Sequence, residues 1–382
     1  MAWLGVAAAL VLIGVIFIDA FEAMILPRRV RHAYRLARMY YRSTWVLWRS
    51  AARLLPTGRR RLGFLSVFGP LSLFGLLIVW AAGLITGFAL LHWSLGTGLT
   101  FPHGSDDSIA TYLYFSGTTF FTLGYGDVVP TGPFGRALSV AEAGIGFGFL
   151  AVVIGYLPVL YQAFSRREIA ISLLDARAGS PPSAGELLRR LAAAKSLSSV
   201  GPLLVEWERW SAELLESHLS FPVLRFFRSQ HDNQSWLGAL TTILDTSAFL
   251  IASTDATDGY QARLTFAMAR HAAVDLVLVT QTPPLPPVID RLPTADFARL
   301  RESLRGCSLV TRDEPTAIKA LTELRSLYEP FVNALATQLQ YAMPPFVVEK
   351  PPVDNWQTSP GMQRSPGLSD LQATGAHDEH DG

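Results

Sequence analysis

Apolar positions in this 382-residue chain gather into three long runs set among ordinary, mixed sequence. Met1–Ile18 and Leu62–Ser105 hold no Asp, Glu, Lys or Arg, and Val128–Ser165 holds only Arg136 and Glu142. About 20 apolar residues in a helix cross the hydrocarbon of a bilayer. Residues 2–25, 66–93 and 136–162 meet that length, so three membrane-spanning helices are predicted. The first run has no basic residue before it and several after it, which does not fit a cleaved signal peptide. Between the second and third runs, Ser108–Phe121 reads as a short apolar helix, with Asp106, Asp107 and Ser108 as its N-cap.

From residue 166 onward the pattern changes. Apolar residues recur at three- and four-residue spacing over Leu187–Ala194, Leu203–Leu219, Trp236–Ala252, Ala262–Thr280, Thr294–Arg305 and Thr316–Tyr341, which predicts helices. Pro181-Pro182, Pro202, Pro222 and Pro283-Pro284-Leu285-Pro286-Pro287 mark breaks. Residues 350–382 are rich in Pro, Ser, Gly and Asp and are expected to form a disordered tail. The division expected is an N-terminal transmembrane helix (1–26), a basic amphipathic segment (27–62), a second apolar region with its short helix and third span (63–165), an all-helical regulatory domain (166–349) and the tail.

Charge sharpens this picture. Only 16 % of residues are charged, 50 % are hydrophobic and mean hydropathy is +0.28, which excludes a wholly soluble chain. One cysteine, Cys307, excludes a disulfide framework within the chain and a Cys-based zinc cluster. A net charge of +1 gives no reason to expect a nucleic-acid partner. Between Pro27 and Leu62 stand 11 Arg and no acid, whereas Gly96–Gly135 holds Asp106, Asp107 and Asp127 and no base. The basic loop is therefore expected inside and the acidic loop outside, with the N-terminus external and residues after Ser165 cytoplasmic. Residues 166–349 carry 18 basic and 20 acidic side chains, an ordinary soluble composition.

Arg31, Arg35, Arg38, Arg42, Arg49 and Arg53 fall on one helical face, with Leu36, Tyr40, Leu47, Ala51 and Leu54 opposite and Tyr34, Tyr41, Trp45 and Trp48 on the flank. This predicts an amphipathic helix on the inner lipid surface, its arginines meeting anionic headgroups. A voltage sensor is the other reading, and one preceding span is too few for it. Asp19 and Glu22 lie about 25 Å along the first helix, so they are expected as boundary carboxylates facing the arginines.

Residues 118–127 read Thr-Thr-Phe-Phe-Thr-Leu-Gly-Tyr-Gly-Asp. Thr122-Leu123-Gly124-Tyr125-Gly126-Asp127 resembles the selectivity filter of potassium channels, with Leu123 in place of Val. The resemblance implies K+ held by carbonyls of Thr122, Leu123, Gly124 and Tyr125, with the Thr122 hydroxyl innermost. Gly124 and Gly126 admit the φ values that aim carbonyls at one axis. It also implies that Tyr125 packs behind the loop as a spacer and that Asp127 concentrates cations at the mouth. Helix, pore helix, filter and helix form the pore module of this family, and the basic segment resembles the interfacial helix of inward rectifiers. The pore helix departs from the common bacterial pattern: Tyr114 and Phe115 stand where Trp is usual and Thr118 where some relatives have Glu, so weaker support for Asp127 is expected. One filter without an internal repeat implies a homotetramer.

In the third helix, Gly146 falls at the family's usual hinge and Pro158 removes a backbone bond. A gate around Ile154–Tyr161 is expected, with close helix packing as the competing reading of the glycines. Glu142 is expected behind the filter, bonded to a pore-helix hydroxyl such as Thr119; a pore-facing acid is the alternative. His218, His231, Asp232, His271 and Asp275 are candidate metal ligands without a tight pattern, and ordinary polar roles are favoured for them. No nucleophile–His–acid set and no Gly-x-Gly-x-x-Gly turn occurs, so neither an enzyme nor a nucleotide-binding regulator is expected, and the regulatory ligand is unidentified. No cofactor is expected beyond transported K+. The expected fold is an all-α tetrameric potassium-channel pore in the plasma (inner) membrane, with an extra N-terminal span and a helical cytosolic domain. A less selective cation pore, or a membrane-anchored sensor or scaffold with a vestigial pore, are the other readings.

Overall fold

The computed structural model describes residues 2–25, 36–100, 108–254, 259–307, 309–349 and 354–357. The chain forms two compact units, one of Met1–Ala163 with Ser220–Phe227 and one of Phe164–Leu219 with Arg228–Gly382. It is helical almost throughout, as the apolar pattern predicts, with one two-residue strand pair.

In the first unit, α1 (Ala2–Met24) and α3 (Arg59–Leu95) pack antiparallel. Ile16 and Ile13 of α1 lie over Gly83 and Gly87 of α3, where a Cβ would meet them at 2.1 and 2.6 Å. Small residues one turn apart let helix backbones approach, which replaces the hydrophobic drive that lipid does not supply. Ala9, Phe88 and Leu91 form the buried centre of this contact, joined by Leu138 and Ile145 of α5 (Pro133–Ala178). At 37 residues, α3 is about 55 Å long, well beyond a 30 Å hydrocarbon layer. It ends on Gly96, whose φ of 60° gives the left-handed C-cap that glycine favours.

Helix α2 (Leu36–Ala52) carries the described part of the arginine stripe; Arg28, Arg29, Arg31 and Arg35 lie outside the described residues. Its contacts within the unit come from the aromatic flank. The aromatic flank is the buried face: Trp48 stacks on Phe64 at 4.3 Å and Trp45 meets Phe68 at 4.8 Å, so α2 runs beside the first half of α3. Leu47 and Leu54, expected as the apolar face, are 72 % and 88 % exposed. Aromatic side chains bury more area per residue and therefore decide which face packs. Asp19 fixes the upper end of α2. Its carboxylate accepts the Ala37 N–H at 3.0 Å and the Trp80 indole N–H at 2.9 Å. It thus serves as a partner to the N-terminal end of α2, within the arginine-rich segment it was expected to face.

Ser220–Phe227, from the second half of the sequence, also folds in the first unit. Phe226 stands 5.1 Å from Trp45 and 4.9 Å from Phe68, and Phe227 lies against Gly69. Phe221 meets Tyr156 of α5 at 5.4 Å.

The second unit is the predicted helical domain. It holds the end of α5 and α6 (Ala184–Ala193), α7 (Val200–Ser220, to Leu219), α8 (Trp236–Ser253), α9 (Gly259–Thr280), α10 (Thr294–Ser303), α11 (Glu314–Ser326) and α12 (Glu329–Leu339). The predicted single helix Thr316–Tyr341 is in fact two. Pro330 has no N–H to continue a helix and opens α12 instead. Helix α8 is apolar enough to cross a membrane, but 94 % of that window is buried inside the unit, which makes it a core helix. Its buried Asp245 pairs with Arg291 at 2.7 Å, Arg291 reaches Glu329 at 3.0 Å, and Tyr328 donates to Asp245. The tail boundary also needs correction: Asp354 is buried and paired with Arg190 at 2.8 Å, so residues 354–357 belong to the domain. The rest of the expected tail, 358–382, lies outside the described residues.

Candidate functional site

The site is built on α4 (Ile109–Phe120), between α3 and α5. Ser108 occupies its N-cap position without a side-chain cap bond, its hydroxyl meeting Thr111 at 3.2 Å instead. Asp106 and Asp107 lie outside the described residues. At the C-terminal end the N–H groups of Phe121, Thr122 and Leu123 close onto the carbonyls of Gly117, Thr119 and Thr118. The chain then leaves the helix as an exposed loop.

Along that loop φ is positive at every second residue: 55° at Thr122, 55° at Gly124 and 77° at Gly126. Alternating left-handed and ordinary residues turn successive peptide planes to one side, where an extended strand would alternate them. Gly124 and Gly126 adopt this without a Cβ penalty, whereas a β-branched Thr122 pays for it. Beyond the loop, β1 (Leu99–Thr100) pairs antiparallel with β2 (Val129–Pro130) and ties the approach to the exit.

The predicted support residues take distinct places. Tyr114 donates to Asp127 at 2.8 Å, so Asp127 has a pore-helix partner where the sequence suggested weak support. Asp127 also accepts the Val128 N–H at 3.0 Å. Thr118 turns its hydroxyl back to the Phe115 carbonyl, and its own carbonyl receives Leu123. Phe115 packs edge-on to His92, away from the loop. Tyr125 is 69 % exposed in the single chain. Glu142 is fully buried and bonds Ser116 rather than Thr119. A Cβ on Gly146 would lie 1.9 Å from the Phe120 carbonyl oxygen, so this glycine is where α5 touches the end of α4. Helix α5 continues through Pro158.

His92 and Ser116 belong to the site and were not among the predicted residues. A histidine inside a run without Asp, Glu, Lys or Arg was the available signal. The candidate metal ligands do not converge. His218 contacts Arg167 at 3.3 Å, and His271 lies 3.4 Å from Asp275 on the surface of α9. Among the described residues, no group of three His, Cys, Asp or Glu side chains is placed to hold a metal.

Residues 75–162, which contain this whole assembly, match the family model described as ion channel. The segment is an ion channel domain. The uncharacterized membrane protein YdjJ of Bacillus subtilis is 25 % identical over 296 residues, covering 76 % of this chain and 83 % of that protein. Protein LctB of Bacillus caldotenax is 33 % identical over 87 residues, covering 20 % of this chain and 64 % of its own length, and LctB of Geobacillus stearothermophilus matches equally. No solved structure matches the chain. With its long apolar helices, the chain is a multi-pass membrane protein.

Proposed function

We propose that the chain is one subunit of a potassium-selective channel that conducts K+ passively through carbonyls of Thr122, Leu123, Gly124 and Tyr125. The alternating φ at Thr122, Gly124 and Gly126, at the end of a short helix in an ion channel domain, carries this reading. A K+ ion gives up its water only where oxygens replace it, and a row of carbonyls turned to one axis supplies them. The C-terminal end of α4 adds the negative end of its dipole. Asp127 draws cations to the mouth.

Four copies complete the pore, because one loop lines only one side of an axis. In keeping with this, the apolar window of α5 is only 11 % buried in the single chain, with Phe147, Ile154 and Tyr161 more than half exposed. Such surface calls for partners, lipid on one side and sister subunits on the other. The protein resides in the plasma membrane with the arginine segment and helical domain inside and the N-terminus outside.

The inner helix is the gate and the helical domain its controller, acting on a stimulus of unidentified chemistry. Ser220–Phe227 supports this coupling. It is continuous with α7, yet it packs with α2 and α3 and sets Phe221 against Tyr156, half a turn before Pro158.

The test is K+ flux from protein-loaded liposomes, compared with Gly124→Asp and with an Na+ gradient. The reading expects K+ flux that Gly124→Asp abolishes and little Na+ flux. Equal K+ flux from both proteins defeats the pore reading, and equal Na+ and K+ flux makes it a non-selective pore.

A further inference from the structure

Beside the pore helix, three polar side chains from three helices meet out of contact with water. His92 of α3, Ser116 of α4 and Glu142 of α5 are each 0 % exposed. Ser116 Oγ lies 2.8 Å from the Ile85 carbonyl oxygen and also against Glu142 Oε1. Glu142 Oε2 faces His92 Nε2 at 3.6 Å, and neither atom has a hydrogen-bond partner. The other ring nitrogen of His92 is 3.0 Å from the hydroxyl of half-buried Thr97.

Donor counting decides what this cluster must hold. The Ile85 carbonyl only accepts, and a serine hydroxyl has one proton to give. A carboxylate would need Ser116 to donate to both Ile85 and Oε1; with a proton on Oε1, Ser116 donates to Ile85 and accepts a hydrogen bond from Glu142. Oε2 is then an acceptor, and the imidazole proton belongs on Nε2 facing it. Nδ1 is then the acceptor for Thr97, whose hydroxyl also lies 3.4 Å from the His92 carbonyl oxygen. In this arrangement the buried cluster is neutral, with Nε2–H facing Oε2 across 3.6 Å. Without the carboxyl proton, Ser116 faces two acceptors with one proton, and the buried carboxylate has only His92, 3.6 Å away, to offset its charge.

Beyond His92, the groups packed around Glu142 bring it no counter-charge. On α4, Tyr114 is engaged with Asp127 and Tyr112 is a buried phenol. On α5, Arg136, six residues before Glu142, reaches the Pro130 carbonyl. The packing of α1 on α3 contributes Val6, Ala9 and Ile13, all apolar.

We propose that a protonated Glu142, shared between Ser116 and His92, is a latch that fastens the pore helix to both flanking helices, and that its deprotonation through Thr97 loosens the filter and lowers ion flux. The flux consequence rests on the channel reading; the proton assignment does not.

Two measurements on the full-length protein in liposomes test it. Infrared difference spectra of wild type against Glu142→Gln report the carboxyl. A protonated-carboxyl band present in wild type at neutral pH, lost in alkali and absent from Glu142→Gln, is expected. K+ flux is then followed as pH on the Thr97 side rises. Wild-type flux is expected to fall several-fold, while Glu142→Gln, whose amide can donate to Ser116 and accept from His92 at any pH, loses the pH dependence. Absence of the band at neutral pH overturns the latch, as does a pH profile identical in the two proteins. The expected band without flux from wild type leaves the latch standing and overturns the channel reading instead.

Discussion

Replacing Gly146 by Ala tests the contact between the inner helix and the filter directly. The added Cβ would sit 1.9 Å from the Phe120 carbonyl oxygen, 2.7 Å from its carbonyl carbon and 3.1 Å from its Cα. A carbon–oxygen contact settles near ~3.3 Å, so about 1.4 Å must be absorbed by backbone on one side or the other. Neither side gives easily. Phe120 is the last residue of α4 and fully buried, and Gly146 lies within a continuous helix. Overpacking of this kind costs about 1–3 kcal/mol. Phe120 stands two residues before Thr122, so the displacement passes into the loop whose carbonyls must stay aligned. Gly144→Ala is the matched control: its Cβ meets nothing within 4 Å, and the exchange favours the helix by roughly 0.5–1 kcal/mol. Liposome flux with K+ and Na+ gradients, together with thermal unfolding in detergent, reads both effects. Gly146→Ala is expected to lose K+ flux or admit Na+ and to melt earlier, while Gly144→Ala does neither. Unchanged selectivity, flux and melting in Gly146→Ala would refute the argument.

Asp19→Ala leaves the buried N–H groups of Ala37 and Trp80 without their acceptor. Each orphaned donor costs about 1–3 kcal/mol, so detergent melting should fall by several degrees, with less loss in Asp19→Asn. Arg291→Met strips the counter-charge from buried Asp245, while Glu329 keeps Arg325 at 3.0 Å. A loss of about 3–5 kcal/mol is expected, read by chemical denaturation, and Asp245→Asn in the same chain should restore part of it.

Much of the architecture could be read from the sequence because each signal was periodic or a run. Three charge-poor stretches became α1, α3 and α5, and five of the six predicted cytosolic helices appear within a few residues of their predicted ends. The sixth failed at Pro330, a visible proline overlooked inside an otherwise helical pattern. What periodicity did not reveal was which of two apolar faces packs. On α2 the arginines left both an aliphatic and an aromatic face, and only the tertiary partners Phe64, Phe68 and Phe226 select the second. The pore helix's fastenings were partly legible. Glu142 stood out as the lone acid of the predicted span 136–162, but a count of Asp, Glu, Lys and Arg passes over His92, and Ser116 carries no local mark. The return of Ser220–Phe227 to the first unit depends on non-local contact, which no window along the chain reports.

The structure also changes how the two candidate gating points of α5 relate. A glycine hinge and a glycine packing site were competing readings of Gly146, but the Phe120 contact makes them one event. A bend at Gly146 must move the backbone atoms that the Phe120 carbonyl rests on, and so disturb the start of the filter. Pro158 lies twelve residues on, about 18 Å along the helix, beside the Tyr156–Phe221 contact and away from α4. A bend there leaves the filter's footing in place. The two sites therefore predict separable effects: Pro158→Ala alters how often the pore opens and how it responds to the helical domain, with K+ over Na+ discrimination intact, whereas Gly146→Ala alters discrimination itself. Single-channel recording distinguishes open probability from ion preference. If Pro158→Ala changed selectivity while Gly146→Ala changed only open probability, the assignment of gate and filter footing along α5 would have to be reversed.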